Sequence, residues 1–480
     1  MFTRFSQGVC ERSPSCCVRR ALYRPRHPES TALRQILVHS LHKTRAELDA
    51  AEVYLPGFVW RELESVIDCG VLDRGFVRVV CGSCKHERVV GFSCKGRGAC
   101  SSCVGRKMAE LAFHLDDHVV PLVPIRQFVL TLPIQLRFLV ARDPKLLLAV
   151  RAVFLRAVSG FYCKAARTLV MRKALRTAGL CVTQRFGSAI NLNPHFHSIF
   201  VDGAYRDDDA GGSPVFVATP AIEKKSADLL LARIVAQVLK LLRRRGIISA
   251  DEWLSPEETA ADAQLTLDAM HVPAPSTQAP DSLHSSSASV LSGFSLHCAS
   301  RASAHDQAAR LRLFRYVLRP AIATDKLAFD GKTVTFTMKR AFSDGRSVLY
   351  FSPQAFIRRI AQLVPRPRQH EIVYCGLFAA NAKDRAKVVR VATHRKRAKK
   401  HPAHDASAPS STMSWQQLLK RTFSCDLQKC EKCAGRIRII ATITQRAVID
   451  KILAHLGLSS RANPASARAP PAAAQACLAS

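Results

Sequence analysis

The sequence predicts an α+β protein whose main domain lies between two small cysteine-rich modules. Segments with the apolar spacing of a helix alternate with β-prone segments through most of the chain. The Asp330-Gly331 pair is a turn signal and precedes a run with strand alternation. CxxC pairs occur near residue 81 and again near residue 430. At 480 residues, the chain is long enough for two or three domains and a sizeable core.

Charge is the outstanding feature of the composition. The chain has 71 Lys and Arg against 37 Asp and Glu, a net charge of +34. Such a surplus predicts a polyanionic partner, with nucleic acid as the first candidate and an anionic membrane as the second. The uninterrupted apolar runs are short and the N-terminus has no apolar secretion segment, so no membrane association is expected. A mitochondrial-type leader is a weaker alternative there, and the prediction is a cytoplasmic protein.

The composition also predicts the domain organisation. Residues 31–118 form a helical and cysteine-rich domain, and residues 119–393 form the main domain, with a Ser-, Ala- and Pro-rich flexible insertion at 255–295. Residues 394–412 are predicted as a linker and residues 413–458 as a C-terminal CxxC module. Residues 1–30 and 459–480 are predicted as disordered tails.

The first half of the chain contains four predicted elements. A helical pattern from about residue 40 to 63 is interrupted by Pro56 and Gly57. A helix follows the cysteine module of residues 76–106, and the segment "RQFVLTLP" at 126–133 is β-prone. Residues 141–175 have apolar side chains at i,i+4 spacing, which predicts a long helix.

The second half adds strands and two more helices. The segment "LCVTQRF" precedes a Gly-Ser turn and the strand "NLNPHFHSIFVDG". A basic helix ends at Gly246, which suits a helix C-terminus. In "RLRLFRYVLRP" an apolar stripe predicts a helix that Pro320 ends.

Two histidines share one face of the central predicted strand. Successive strand side chains point to opposite faces, so His195 and His197 lie together and Phe196 points away. Two imidazoles on a rigid face are half of a divalent-metal site, but the same pattern also occurs through packing alone.

The N-terminal cysteine module has the spacing of a structural zinc site. Cys81, Cys84, Cys100 and Cys103 form CxxC-x15-CxxC, which predicts a closed four-thiolate site and leaves Cys94 spare. His86 is an alternative ligand. Basic residues around the module suggest contacts with a nucleic-acid backbone. They are Lys95, Arg97, Arg106 and Lys107.

The C-terminal module contains half of a second metal site. Cys430 and Cys433 form one CxxC pair, and no second pair follows. Cys425 or His455 could complete a site. From the residues alone, metal binding and three reduced structural cysteines remain equal alternatives.

Tyr316 is the one tyrosine predicted to lie mid-helix in a basic frame. Arg315 and Arg319 flank it where a phosphodiester would be held, so Tyr316 is a candidate nucleophile and the two arginines are candidate DNA contacts. A core tyrosine on an amphipathic helix would give the same pattern.

These features together resemble the HUH (His-hydrophobic-His) rolling-circle transposases, specifically the insertion-sequence-ninety-one-like group. The resemblance covers about residues 32–458. It rests on the order and spacing of several segments. They are "FSCKGRGACSSC", "RQFVLTLP", "QRFGSAINLNPHFHSIFVDG", "FSLH", "RYVLRP", "LVPRPRQHEIVYCGLFAANAK" and "CEKCAGRIRIIATIT".

The resemblance implies an antiparallel-sheet HUH nickase domain flanked by helices, preceded by a zinc-binding, DNA-contacting domain. His195 and His197 would hold Mg²⁺ or Mn²⁺ on the central strand, and Tyr316 would attack single-stranded DNA to form a 5′-phosphotyrosine. Gln184 is the predicted third ligand because it can supply an oxygen, and Asp202 is the weaker candidate.

The implied substrate is single-stranded DNA at the element ends and at the target. Nucleoid association and a homo-oligomer are compatible with this role. The basic runs at 243–245 and 395–400 could contact phosphates, although solvated surface is the alternative for each. The absence of a GxxxxGK[ST] loop fits strand joining without ATP.

This chain departs from the family pattern at two positions. Many relatives have two tyrosines four residues apart, but Arg312 stands four residues before Tyr316, which indicates the single-tyrosine branch. Cys375 stands where relatives are expected to have His, and a catalytic role for that His would leave this copy impaired.

Two other functions fit the same residues. An HUH replication initiator or relaxase would use the same chemistry at an origin. A non-catalytic, zinc-dependent DNA-binding protein, as a degenerate copy, would bind DNA without needing His195, His197 or Tyr316. A zinc protease is disfavoured because the chain has no HExxH motif.

Overall fold

The structure is a computed structural model that describes residues 30–170, 174–208, 212–249, 288–339, 341–342, 345–389, 429–430 and 432–458. The helices are α1 (Ala32–Ala50), α2 (Gly57–Asp68), α3 (Ser101–His114), α4 (Ile134–Arg142), α5 (Pro144–Val170), α6 (Lys224–Arg244), α7 (Gln307–Val317), α8 (Pro353–Ala361), α9 (Arg385–Val388) and α10 (Arg446–His455). The strands are β1 (Phe76–Cys81), β2 (Glu87–Gly91), β3 (Ile125–Thr131), β4 (Leu175–Arg176), β5 (Ala178–Phe186), β6 (Leu192–Val201), β7 (Gly203–Arg206), β8 (Val215–Ala218), β9 (Ala288–Leu291), β10 (Phe294–His297), β11 (Arg301–Ala302), β12 (Leu327–Phe329), β13 (Val334–Thr337), β14 (Val348–Phe351), β15 (Ile372–Gly376) and β16 (Ile437–Ile443).

A seven-stranded antiparallel sheet organises the main domain. Its strand order is β15-β5-β6-β3-β10-β9, with β11 also pairing with β3. Strand β6 lies between β5 and β3, so its backbone is paired on both sides and its side chains are held rigidly. The α+β class with an antiparallel sheet and flanking helices is confirmed.

Helices cover both faces of this sheet. On one face, α4, α5 and α6 bury an apolar core against Phe128, Phe196 and Phe200. On the other face, α7 and the end of α3 pack against Leu180, Val182 and other residues of the alternate strand positions. The two histidines of β6 belong to the second face, beside α7.

The N-terminal helices share a core with a later part of the chain. Helices α1 and α2 pack against the β12–β14 sheet and α8, and Ile36, Trp60 and Phe356 are buried there together. Cys69, Cys100 and Cys103 lie in the same core. The cysteine-rich region is therefore packed directly on residues that the sequence analysis assigned to the main domain.

The cysteine-rich N-terminal region and the C-terminal part of the described chain meet in a small sheet of order β16-β1-β2. Strand β16 pairs antiparallel with β1, and Cys81 lies opposite Ile437. Helix α10 covers this sheet with Ile449 and Leu453, which bury Phe76 in a small core. The predicted C-terminal module is thus docked on the N-terminal region.

Part of the predicted domain organisation falls on the described residues. The predicted flexible insertion at 255–295 is wrong at its end, because residues 288–291 form β9 and hydrogen-bond to β10. The rest of that insertion, the 394–412 linker, Cys425, the 395–400 run and both tails lie outside the described residues, except Ser30. The domain boundary near residue 118 stays a prediction.

Helix α5 is long and apolar enough to cross a membrane by length and composition, which the short uninterrupted apolar runs did not indicate. It has the position of a core helix, since Leu147, Phe154, Val158 and Tyr162 are buried against the sheet and α6. Its composition alone is weak support for a membrane span.

Candidate metal and tyrosine site

His195 and His197 occupy the centre of the sheet. On the neighbouring strands, Gln184 lies directly opposite His195, and Val182 and Val129 lie opposite His197. Opposite residues in an antiparallel pair share a face, so Gln184 and both imidazoles project to the same side. The two imidazole centroids are 4.8 Å apart. The structure therefore brings together the three residues predicted as metal ligands.

His195 is held in the tautomer that a metal ligand requires. Its Nδ1 lies 2.7 Å from the carbonyl oxygen of Asn193, which can only accept, so Nδ1 carries the proton and Nε2 keeps a lone pair. Burial lowers the pKa of His195 to about 4. Neutral imidazole is therefore the form present near neutral pH.

His197 and Gln184 each present a buried polar atom without a partner. The amide of Gln127 lies 2.8 Å from Nδ1 of His197 and fixes the ring. Nε2 of His197 can hold a metal when the oxygen of that amide faces the ring and accepts from Nδ1–H. Burial lowers the pKa of His197 well below its usual range. Nε2 of His197 and Oε1 of Gln184 have no hydrogen-bond partner among the described residues. Buried polar atoms are normally satisfied, so these two atoms are available to bind a ligand or water. The donor set of two imidazole nitrogens and one amide oxygen suits a divalent metal.

Asp202, the weaker candidate for the third metal ligand, is already bonded to other side chains. Asp202 is buried, and both its oxygens accept from the guanidinium of Arg126 at 2.9 and 3.0 Å. It also accepts from the Tyr162 hydroxyl at 2.9 Å and pairs with Arg301 at 2.9 Å. This network fixes β3, β6 and α5 and leaves Asp202 unsuited to metal binding. Gln184 is the remaining candidate of the two.

Tyr316 lies in α7 above the imidazoles. Its ring is 5.4 Å from the ring of His197, at 80° between planes, and its side chain is 43% exposed. The guanidinium of Arg319 sits over the Tyr316 ring at 4.8 Å. Tyr162 is also mid-helix, but it is buried and bound to Asp202, and burial raises its pKa well above the ordinary value. Tyr316 therefore has the exposure that a nucleophile needs.

Helix α7 is positioned from both of its ends. Near its start, the fully buried Arg310 donates to Asp116 at 2.7 Å and to the carbonyls of Val120 and Val123, each at 3.1 Å. At its end, Nε2 of Gln184 donates to the Val317 carbonyl at 2.8 Å. These contacts leave Oε1 of Gln184 free and tie the Tyr316 helix to both the sheet and the segment that follows α3.

The four cysteines that the sequence spacing assigned to one zinc site belong to two different clusters in the structure. Cys100 and Cys103 cluster with Cys69 and Cys94, whereas Cys81 and Cys84 cluster with Cys430 and Cys433. The predicted single site of Cys81, Cys84, Cys100 and Cys103 is therefore not formed. The physical reason is that β1 leads Cys81 to the β16 edge, while α2 and the 94–100 loop bring Cys69 and Cys94 to the start of α3.

The cluster around α3 has the dimensions of a four-thiolate zinc site. The Sγ atom of Cys103 lies 3.6 Å from that of Cys69 and 3.4 Å from that of Cys94, and Cys69 and Cys100 are 3.7 Å apart. A tetrahedron with Zn–S bonds of 2.3 Å has edges of about 3.8 Å. The backbone N–H groups of Cys94 and Gly96 donate to sulfur, and contacts with the Cys100 thiol lower the pKa of Cys69. Structural zinc fits these residues, with Cys94 as a ligand rather than a spare.

The predicted DNA contacts fall around this cluster and α7. Lys95 and Arg97 are exposed in the loop that carries Cys94, and Lys107 donates its ammonium to the Lys95 carbonyl at 3.1 Å. Arg106 is half-buried on α3. Arg97 also lines a cavity of about 100 Å³ together with Gln184 and Arg319.

The two residues that depart from the family pattern, Arg312 and Cys375, lie on opposite sides of the main sheet. Arg312 is exposed one helical turn before Tyr316, on the same side of α7. Cys375 lies opposite Gly179, on the face of Phe200, and packs with the core beneath α5. It is therefore on the other side of the sheet from His195 and His197.

Sequence reasoning missed Cys69, Gln127 and Arg310. Cys69 stands alone in the sequence, so a search for CxxC pairs overlooks it. Cys94, Cys100 and Cys103 are three possible zinc ligands close together in the sequence, and the need for a fourth ligand could have pointed to Cys69. Gln127 had a usable signal, because its position in a strand beside the His strand could be counted from the pattern. Buried Arg310 had none, since an arginine in a basic helix looks solvated.

Comparison with family models gives two matches. Residues 41–132 match the transposase zinc-binding domain model Zn_Tnp_IS91. Residues 179–386 match the transposase model Y2_Tnp. The first range contains the Cys69, Cys94, Cys100 and Cys103 cluster, and the second contains the two histidines and Tyr316. Comparisons with curated proteins and with solved structures gave no match.

The fold, the cysteine cluster and these matches define a zinc-binding transposase, a protein that acts on DNA. The chain belongs to the IS91-like transposase family.

Proposed function

We propose that this transposase cuts and rejoins single-stranded DNA through a 5′-phosphotyrosine on Tyr316. One observation carries the proposal: the Tyr316 ring lies 5.4 Å from His197, above a face where His197 and Gln184 each have a buried ligand atom without a partner. A core tyrosine would be buried, and Tyr316 is 43% exposed.

The residues present fit a divalent metal at this face. Nε2 of His195, Nε2 of His197 and Oε1 of Gln184 would hold Mg²⁺ or Mn²⁺. When bound, the metal would polarise the scissile phosphate as a Lewis acid. The Gln127 amide and the Asn193 carbonyl contact the Nδ1 atoms of the two imidazoles and so orient both rings.

The strand-cutting step is a transfer between two oxygens. The Tyr316 Oη forms a bond to phosphorus as the bond to the 3′ oxygen breaks. The phenol loses its proton to water, and the departing 3′ oxygen takes one up, which leaves a 3′-OH. Arg319, whose guanidinium lies over the Tyr316 ring, stabilises the negative charge that develops on the phenol oxygen and the phosphate. Attack of a 3′-OH on the phosphotyrosine reverses the step, so joining needs no ATP.

The substrate we propose is single-stranded DNA at the element ends and at the target. A tyrosine held on a helix must reach an exposed backbone, which an unpaired strand offers. The net charge of +34 and the cavity shared by Arg97, Gln184 and Arg319 support a path from the zinc-binding domain to Tyr316. A homo-oligomer acting in the nucleoid would supply one Tyr316 for each of two strands.

The direct test is covalent capture. Purified protein is incubated with Mn²⁺ and labelled single strands from the DNA that flanks its gene, and label on protein is measured after denaturing electrophoresis. We expect an adduct that Tyr316→Phe abolishes and that His195→Ala/His197→Ala reduces at least about a hundredfold. Tyr350→Phe and His42→Ala, which alter exposed residues of other elements, are the matched controls.

Three results would decide against the proposal. An adduct that survives Tyr316→Phe would assign another nucleophile. Tight, salt-sensitive binding of DNA without any adduct would favour the non-catalytic DNA-binding protein. A strand from a plasmid origin that is cut in preference to the flanking DNA would instead favour a replication initiator.

A further inference from the structure

Four cysteines from opposite ends of the chain form a compact cluster. The Sγ atoms of Cys81, Cys84, Cys430 and Cys433 all lie within 4.8 Å of one another. Cys81 and Cys433 are 3.5 Å apart, and Cys84 and Cys430 are 3.6 Å apart. These separations are close to the edge of about 3.8 Å expected for a zinc tetrahedron and far from a disulfide bond of about 2.05 Å.

The two CxxC turns have the same shape. Lys85 and Ala434, each directly after the second cysteine, have φ values of 58° and 56°. Their backbone N–H groups donate to the carbonyls of Cys81 and Cys430, at 3.1 and 2.8 Å. This conformation is uncommon outside glycine and costs energy. Its occurrence at both equivalent positions indicates two turns shaped for a shared ligand.

The two turns are closely packed at Gly435 and Gly82. A Cβ on Gly435 would lie 2.5 Å from the Ser83 hydroxyl and 3.0 Å from the Cys81 sulfur. The Gly82 N–H donates across the pair to the carbonyl of Arg436 at 2.9 Å. A side chain at 435 would require Ser83 to move, so the small size of glycine suits this contact between the two turns.

Among the described residues, one strand pairing and one small core are the other main anchors of the C-terminal module. Strand β16 pairs with β1, and α10 adds a core whose fully buried members are Phe76, Ile449 and Leu453. A core of this size is small for a module that must stay folded, and small modules commonly depend on a metal.

We infer that these four cysteines are a second structural zinc site that fastens the C-terminal module to the N-terminal domain. Its ligands are separated by 346 and 352 residues along the chain. Neither family match extends to Cys430 or Cys433. A closed four-thiolate set leaves no open position, so the zinc holds structure and performs no chemistry.

Metal content of the full-length protein tests this directly. Protein purified under reducing conditions should contain two zinc ions per chain. The Cys430→Ser/Cys433→Ser variant should contain one, and Cys69→Ser/Cys100→Ser should also contain one. Cys163→Ser, which alters a cysteine outside both clusters, should retain two.

A second variant separates ligation from folding. Cys433→His should keep two zinc ions, because histidine can replace one thiolate, whereas Cys433→Ser should lose one. Hydrogen exchange across residues 437–455 should rise in Cys433→Ser and in chelated wild type, but not in Cys433→His. A wild type with one zinc, a double variant that keeps two, or a disulfide between the clustered cysteines in metal-free protein would overturn the inference.

Discussion

The ring of Tyr316 stands nearly perpendicular to that of His197, with 5.4 Å between their centroids. One residue is carried by a helix and the other by the central strand of the sheet. Their relationship therefore depends on how α7 is fixed to the sheet and to α3. Several predictions concern those attachments.

Gln184 should support both the metal and the tyrosine helix. Gln184→Ala removes the unpartnered Oε1 and the hydrogen bond to the Val317 carbonyl. We expect Mn²⁺ affinity, measured by calorimetry, to fall at least about tenfold, together with adduct yield. Gln184→Glu keeps an oxygen ligand but loses the amide donor, so it should retain metal and still form less adduct. Unchanged Mn²⁺ affinity in Gln184→Ala would exclude Gln184 as a ligand; Gln354→Ala, on α8, is the control.

The Asp116–Arg310 ion pair should be essential for stability. Both side chains are buried, at 6% and 0% exposure, and the guanidinium nitrogen is 2.7 Å from the carboxylate. Asp116→Ala would leave Arg310 as an unpaired buried charge, which costs about 3–5 kcal/mol. Urea unfolding should show this loss in the free energy of unfolding. Asp450→Ala, which breaks an exposed pair with Arg446, should cost less than about 1 kcal/mol; equal losses would contradict the prediction.

His195 should make the metal-free protein less stable as the pH falls. Burial lowers the folded-state pKa of His195 to about 4, against 6.5 for the exposed side chain. Between these values the unfolded chain binds a proton that the folded chain does not, so stability decreases from pH 6.5 towards pH 4. The full effect of His195 is about 3 kcal/mol.

The measurement is urea unfolding of chelated protein at pH 7, 6 and 5. Wild type should lose more stability over this range than His195→Ala, because the variant has no imidazole to protonate at that position. Parallel pH profiles for the two proteins would show that His195 titrates near its ordinary value.

Replacing Cys375 with histidine should not increase nicking. Cys375 packs on the face of the sheet opposite His195 and His197, and burial raises its pKa to about 12. Cys375→His should change adduct yield less than about twofold and destabilise the protein by about 1–3 kcal/mol, because the imidazole would lack hydrogen-bond partners there. A large gain in adduct would mean that this histidine acts on the DNA through another route.

Cys69 distinguishes the observed cysteine cluster from the one that spacing suggested. Cys69→Ser should remove one zinc ion, since its sulfur lies 3.6 Å from that of Cys103 and 3.7 Å from that of Cys100. If Cys81, Cys84, Cys100 and Cys103 formed a site instead, Cys69→Ser would leave the zinc content unchanged. Metal analysis after gel filtration separates the two outcomes.

Local sequence patterns were sufficient to predict the positions of the two histidines and of the helix that carries Tyr316. The alternation around "PHFHSIF" placed His195 and His197 on one face of a strand, and Pro320 placed the end of the helix that carries Tyr316. These features depend on neighbours within a few residues, where strand and helix geometry is fixed.

Cysteine partners could not be predicted in the same way. A CxxC motif determines only the geometry of its own turn. Any two such motifs could supply the four thiolates of a zinc site, so the sequence does not say which two combine. The choice between Cys100 and Cys430 as the partner of Cys84 is made by β1 and β16 pairing across the whole chain. Likewise, the core that buries Arg310 is assembled from α3 and the turn after it, about 190 residues earlier in the sequence.

The pairing of β1 with β16 has a consequence for synthesis on the ribosome. Val80 pairs with Arg438, so this edge of β1 and the thiols of Cys81 and Cys84 wait for their partners until residues 430–443 have been synthesised. At about 5–20 residues per second, that interval is roughly 20–70 s. An open strand edge beside two reactive thiols is exposed to misfolding and oxidation during this time. Yield of folded protein should therefore respond to translation speed and to zinc supply while the chain is still being made.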